Sequence, residues 1–451
     1  MATSIQDTDL QVKASTRQVL KIALPISLAI FVPQFNLIIN NIFLGHYNQE
    51  SLAIASIAGV YYLVFAMIGF GLNNGLQTLI ARRAGENRPE EIGKIFAQGI
   101  LISFIIAAIG IATTWMVAPL ILPKLISHDH AVQVISFLKI RIWGLPFLYI
   151  YQMRNALLVG TNQSKFLVTG TLAETITNIV FDYLFIFGNG GFPELGFNGA
   201  AVASIIAEFM GMFVIFAVIH YKGISRRFSL FGHFSWNSTL AKQIMTISLP
   251  LIFQFFISLL SWEYFYILIE HHGETALAAS NVMRNIFGFM GCITWAFAAT
   301  TSAMVSNLIG QGKKDQVIPL INRIMKISVS STCIVVVLIN LFPKLIFSIY
   351  GQDEAFITVA VPLVRIVTIA MIIMAFGVTW LNAVTGTGNS RITFLIELIV
   401  IILYCIYIYL VLEKYFLSIT VGWMSEWLYW GTIFIFSFFY MRTGKWKKKV
   451  I

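Results

Sequence analysis

Two carboxylates and an amide, Glu174, Asn178 and Asp182, stand at i, i+4 and i+8 within LAETITNIVFDYLFIFG, a run otherwise apolar enough to lie in hydrocarbon. That spacing puts them on one helical face, as a polar stripe about 12 Å long at 1.5 Å per residue. The next apolar run carries a second stripe, Ser204 and Glu208, also at i, i+4. A carboxylate at the centre of a membrane helix costs at least about 2.5–3.5 kcal/mol, so it is expected to face a partner or a wet cavity. If the two runs form a hairpin turning near Pro193, Asp182 falls opposite Ser204 and Asn178 opposite Glu208, while Asn40 in the first apolar run lies at a depth similar to Asp182. Clustered carboxylate, amide and hydroxyl oxygens suit a proton or a hard cation, and a Na+ ion would be held at Asn178 and Asp182; soft-metal sites need thiol or imidazole. The plainer alternative is that these groups hydrogen-bond neighbouring helices and hold a bundle together.

Further along, Glu263 and Arg284 flank the turn near Gly273 almost symmetrically, which predicts one depth and an ion pair, structural in the first instance and a substrate contact in the second. Aromatic residues around Trp262 and Trp295 offer faces that attract organic cations, although packing against lipid accounts for most of them. Cys292, Cys333 and Cys405 lie in apolar runs without CxxC spacing, and His271–His272 lacks the i, i+4 spacing of a helical metal site, so neither a disulfide framework nor a metal centre is expected. No Walker A, GxSxG or HExxH motif is present, which argues against a nucleotide cofactor, an ATP-driven machine or a hydrolase. Buried carboxylates without ATP chemistry point to ion coupling.

The elements that must position these groups follow from composition. Of 451 residues 58% are hydrophobic and 11% charged, with a mean hydropathy of +0.82, as in a multi-span membrane protein. The first twenty residues lack the apolar core of a secretory signal peptide. Apolar segments near residues 20–44, 54–80, 94–118, 133–157, 166–188, 197–220, 245–269, 278–308, 320–342, 357–384, 392–412 and 415–441 predict twelve transmembrane helices. The termini and alternate connectors hold 23 basic residues against 3 (Lys124, Lys344, Lys414) in the others, which places both termini in the cytoplasm. The net charge of +10 is thereby a topology signal and not a nucleic-acid footprint, and the tail KWKKKVI is read as an anchor beside anionic lipid.

Shifted by 225 residues, LKIALPISLAIF falls on MTISLPLIFQFF and Gly85 on Gly310; VGTNQSK (159–165) resembles TGTGNSR (385–391) at an offset of 226. Six helices per copy is an even number, so the repeats are parallel. The fold expected is all-α and polytopic: a cytoplasmic segment 1–19, an N-lobe 20–220, a basic linker 221–243, a C-lobe 244–441 and a basic tail 442–451. Facing six-helix lobes suit an alternating-access transporter functional as a monomer, with a bundle enlarged by duplication as the plainer reading; neither is an enzyme.

INNIFLG (39–45), NIVFDYLFIFG followed by LGFNGAAVASIIAE, ALAASNVMRNI, VSNLIGQGKKDQV and LNAVTGTGNSR, in this order and spacing, resemble signatures of the multidrug and toxic compound extrusion (MATE) family. The resemblance covers nearly the whole chain and implies a plasma-membrane exporter, of the bacterial inner-membrane kind, that moves small cationic or amphipathic compounds in exchange for Na+ or H+. In members with the DinF-type N-lobe site, the ion is held by a helix-one acid, a helix-five Asn and Asp, and a helix-six hydroxyl. Asn178 and Asp182 match; Ser204 replaces the usual Thr, and Asn40 stands in place of the acid, which leaves Glu174 or Glu208 to compensate. The NorM-type C-lobe acids match poorly, since the helix-ten Asp falls near Met374 and Glu263 is displaced. A lipid-linked oligosaccharide flippase of the same superfamily is the rival, and would need basic groups in its cavity where mainly Arg284 and Arg365 are found at depth.

Overall fold

The structure is a computed structural model and describes residues 10–232, 234–343, 354–449 and 451; Lys344 and residues 1–9 of the N-terminal segment lie outside the described residues. Among the described residues there is no strand, and the chain runs through twelve long helices. In chain order these are α1 (Thr16–Tyr47), α2 (Gln49–Gly85), α3 (Pro89–Leu125), α4 (His128–Gly160), α5 (Leu167–Phe187), α6 (Phe197–Tyr221), α7 (Ser238–Glu270), α8 (Glu274–Gly310), α9 (Val317–Leu341), α10 (Glu354–Gly386), α11 (Ser390–Ile408) and α12 (Ser425–Arg442). Ten are long and apolar enough to cross a membrane. The others are α5, diluted by its carboxylates, and the 18-residue α12. Side chains such as Ile109, Met116, Leu120, Ile176 and Ile334 are at least 60% exposed, which water would penalise and lipid does not.

Helices extend beyond the apolar segments that predict them. At 37 residues α2 and α8 are about 55 Å long, well over the hydrocarbon thickness. The two begin and end 225 residues apart, at Gln49 and Glu274 and at Gly85 and Gly310, so the sequence repeat is a repeat of helix boundaries. α4 is interrupted by a tight turn at Ile142–Gly144. The last expected segment, 415–441, is not one helix. Phe416 takes a left-handed backbone (φ 48°), and a short helix Ile419–Trp423 precedes α12.

The chain divides into two compact units, one formed by Leu28–Ile252 with Leu10, the other by Gln11–Ser27 and Phe253–Ile451. Within the second, residues 11–27 are tied by Val12, whose N–H donates to Asn307 Oδ1 (3.0 Å) and whose carbonyl accepts from Gln311 (2.9 Å). Arg154, counted above with the connectors, lies inside α4, buried, donating to the Met212 carbonyl and stacked over Phe216.

α5 and α6 pack as a close hairpin through glycine. A Cβ on Gly199 would fall 2.6 Å from the Phe185 carbonyl oxygen, one on Gly211 2.9 Å from Glu174 Cβ, and one on Gly170 2.2 Å from Ile215. Without side chains at these points the backbones approach closely, as small residues allow between membrane helices. The contacts fall one to two residues from the expected hairpin register. The turn begins at Gly188, left-handed at φ 68°, where a glycine carries no Cβ penalty.

The basic tail folds back onto the protein. Trp446 is buried and donates to the Met441 carbonyl (2.8 Å); Lys447 pairs with Asp315 (2.9 Å), at the turn before α9, and its carbonyl accepts from Lys314 (2.6 Å). The Lys447 ammonium holds the Asp315 carboxyl below its ordinary value. A carboxyl depressed in the folded state contributes at neutral pH and loses that contribution as pH falls through its lowered value. Protection factors of the Lys447 and Lys449 amides, taken relative to the intrinsic exchange rate at each pH, are therefore expected to fall on acidification, and Asp315→Asn to remove this acid dependence while Trp446 stays buried.

Candidate functional site

Asp182 is fully buried and Asn178 is 3% exposed, both on the α5 face that meets the second half of α1. Phe43 and Tyr47 pack edge-on against Phe187 (6.0 and 6.3 Å between centroids), pinning the end of α1 to the end of α5. The polar contact lies further in. Asn36 and Asn40, one turn apart on α1, donate from Nδ2 to Asn178 Oδ1 at 2.6 and 3.0 Å. This leaves Asn36 Oδ1, Asn178 Nδ2 and Asp182 Oδ1 buried without partners.

Amide orientation follows from the network around it, and Asn40 satisfies its neighbours better when turned end for end. Its NH2 then lies 2.6 Å from Asp182 Oδ2 and 3.1 Å from the Asn36 carbonyl oxygen, so α1 supplies Asp182 with a donor.

Glu208 does not join this group. Its carboxylate takes a two-pronged contact from Arg141 of α4 (Nη1 to Oε2 2.9 Å, Nη2 to Oε1 2.6 Å) and a third bond from Tyr62 of α2 (3.1 Å). The guanidinium also lies 3.8 Å from the Tyr62 ring centre. Gly144 makes room, because a Cβ there would stand 2.2 Å from Glu208 Oε2. Glu174 lies against Gly211 and within electrostatic range of both Arg141 and Glu208. One guanidinium thus serves three acids: Glu208 directly, Glu174 and Asp182 from further off. Ser204 is half-buried, and the described hydrogen bonds of Asn178 run to α1 and not to Ser204. The hairpin register is close to expectation, but Asn178 and Glu208 turn to different neighbours.

In the second unit Arg284 stands 3.7 Å from Glu263, partly exposed, and within 5.2 Å of the Trp262 and Tyr266 ring centres. The aromatic faces of Trp262 and Tyr266 hold the protein's own cation. Met374 is fully buried among apolar side chains. Among the described residues no three His, Cys, Asp or Glu side chains could share a metal.

Sequence reasoning missed Asn36, Arg141, Tyr62, Glu397 and Glu426. Asn36 was legible as the i−4 partner of Asn40, the same spacing that marks Asn178 and Asp182. Arg141 sits inside an apolar segment, where a lone basic residue calls for an acid at its depth.

Residues 25–184 and 250–410 each match the MatE family model. The chain is 24% identical over 417 residues to the "Probable multidrug resistance protein NorM" of Thermotoga maritima, covering 91% of this chain and 88% of that one. Its structure is similar, with a TM-score of 0.88 and 18% identity over the whole of both chains, to a MOP superfamily transporter from Pyrococcus furiosus described as having a binding pocket of reverse polarity. It is similar also, with a TM-score of 0.87 and 18% identity over both whole chains, to a multidrug resistance MATE family transporter in an outward-facing conformation. At these identities the likeness establishes the fold.

Breaking one side of a buried ion pair strands the other charge and costs about 3–5 kcal/mol. Arg141→Gln is expected to lower the unfolding free energy by about that amount, and Arg141→Gln with Glu208→Gln to recover most of it. Denaturant unfolding of the detergent-solubilised protein would show the coupling; additive losses would mean that the pair is not energetically connected.

Proposed function

Since the chain belongs to the MatE family of membrane transporters and is no enzyme, we propose that it is a secondary active multidrug exporter. It moves small cationic or amphipathic organic compounds out of the cell by alternating access, in exchange for Na+ or H+. The observation that carries the coupling is Asp182: fully buried, with one oxygen unpartnered and three asparagines gathered beside it. An ionised carboxylate in that position needs a counter-charge, and Arg141 is already committed to Glu208.

The neutral Asn40 changes how the site works. Where a second acid would have supplied charge, Asn36, Asn40 and Asn178 supply dipoles. The Asn40 NH2, 2.6 Å from Asp182 Oδ2, steadies the carboxylate once the proton or Na+ ion has left, and an arriving ion competes with that bond. Ion release is thereby linked to the contact between α1 and α5, the kind of local change that biases a two-state element. Glu208 is neutralised by Arg141 and serves as a fixed strut; Glu174, without a direct partner charge, remains the acid that compensates. Ser204 contributes a hydroxyl at the margin. Both termini face the cytoplasm, and the membrane is of the bacterial inner-membrane kind.

Export of lipid-linked pyrophosphates is the weaker reading. Arg141 and Arg154 are held by a carboxylate and a carbonyl, so neither stands ready for a pyrophosphate.

Purified protein in proteoliposomes, loaded with a fluorescent organic cation and given pH and Na+ gradients separately, tests the assignment. Asp182→Asn is expected to abolish gradient-driven efflux while leaving insertion intact. Asn36→Leu, which removes about 1 kcal/mol of hydrogen bonding, is expected to raise the half-saturating concentration of the coupling ion several-fold. Unimpaired coupled efflux from Asp182→Asn would overturn the mechanism.

A further inference from the structure

The second unit buries two carboxylates that the N-lobe assignment does not use. Glu397 of α11 is 2% exposed and Glu426 of α12 is 4% exposed, and among the described residues neither takes part in an ion pair. The charged groups on neighbouring elements are occupied elsewhere: Glu263 and Arg284 face each other, and Arg365, the basic residue of α10, is exposed. At the repeat's offset of 226, Asp182 corresponds to Ile408 and Asn178 to Tyr404, so these acids are not the symmetry mates of the first group.

Around Glu397 the structure places a built polar site. Ser258 of α7 donates to Oε1 at 2.6 Å, Tyr429 of α12 donates to the same oxygen, and Gln254, one turn before Ser258, lies beside the carboxyl. Oε2 is buried and unpartnered. Glu426 takes the indole N–H of Trp430 at 3.0 Å, with Trp262 and Tyr404 also beside its carboxyl. Indoles only donate, whereas the two hydroxyls and the amide around Glu397 both donate and accept and so can follow a proton.

We propose that Glu397, with Ser258, Gln254 and Tyr429, forms an exchangeable proton site in the second unit. The inference stands independently of the Asp182 assignment. In the loaded state Oε2 carries the proton and Oε1 accepts from the two hydroxyls, so the acid is neutral in a region that offers no cation. On release the O–H bond breaks, the proton passes to water admitted to the unit, and the carboxylate keeps the Ser258 and Tyr429 bonds. A Na+ ion is poorly suited, since Oε1 already accepts two hydrogen bonds and a hard cation needs several free oxygens together.

Infrared difference spectra of the carboxylic C=O stretch, recorded on proteoliposomes while pH is stepped, read this proton without relying on transport. The measurement is made in a background carrying both Asp182→Asn and Glu174→Gln, so that failure of the N-lobe mechanism and failure of this one appear separately. A protonated-carboxyl band that disappears as pH rises is expected in that background, and is expected to be lost when Glu397→Gln is added. Tyr429→Phe should shift its midpoint by about tenfold in proton concentration, one pH unit, and Glu397→Asp should keep a displaced band. A band that survives Glu397→Gln, that vanishes with Glu426→Gln instead, that ignores pH, or that responds to Na+ at fixed pH would each overturn the proposal.

Discussion

A charge held away from water has to be matched inside the protein, and the first unit is organised by how Arg141 is spent. Its planar guanidinium satisfies both oxygens of Glu208 at once, which a lysine would not do. Tyr62 closes the pair from the α2 side and Gly144 leaves the space it occupies. With the guanidinium committed, Glu174 and Asp182 receive only its longer-range field. The polar behaviour of α5 follows from this: Asp182 is handed to the amide dipoles of α1.

The second unit answers the same constraint by other means. Its arginine at depth, Arg284, is partly exposed and shared between Glu263 and two aromatic rings. The buried acids are instead surrounded by hydroxyl, amide and indole groups, which suits carboxyls that spend time neutral. Two repeats of one helical pattern thus manage charge by pairing in one case and by neutral hydrogen bonding in the other.

Most of the architecture was legible in the amino-acid order, because hydrocarbon leaves few choices: an apolar run of span length must be a helix. Helix ends were less so, since α2 and α8 continue past their apolar centres through polar turns such as IARRAG. The break at Phe416 was hidden because a left-handed residue within an apolar run leaves no compositional mark. At the site, the i, i+4 stripes correctly gave residues of one face, and the α5–α6 register came within two residues. What could not be read was which third helix each face meets. Asn178 and Glu208 turn away from each other toward α1 and α4, and that rotation is fixed by the glycines at 170, 199 and 211, whose meaning depends on what approaches them.

The matched boundaries of α2 and α8 carry a historical consequence. Two helices of equal length displaced by one constant interval record a duplication whose frame has tolerated neither insertion nor loss across that stretch. The ionisable residues keep no such memory: Glu397 stands where the first copy has Thr171, and Ile408 where it has Asp182. Backbone length was inherited, while charge was rewritten separately in each copy.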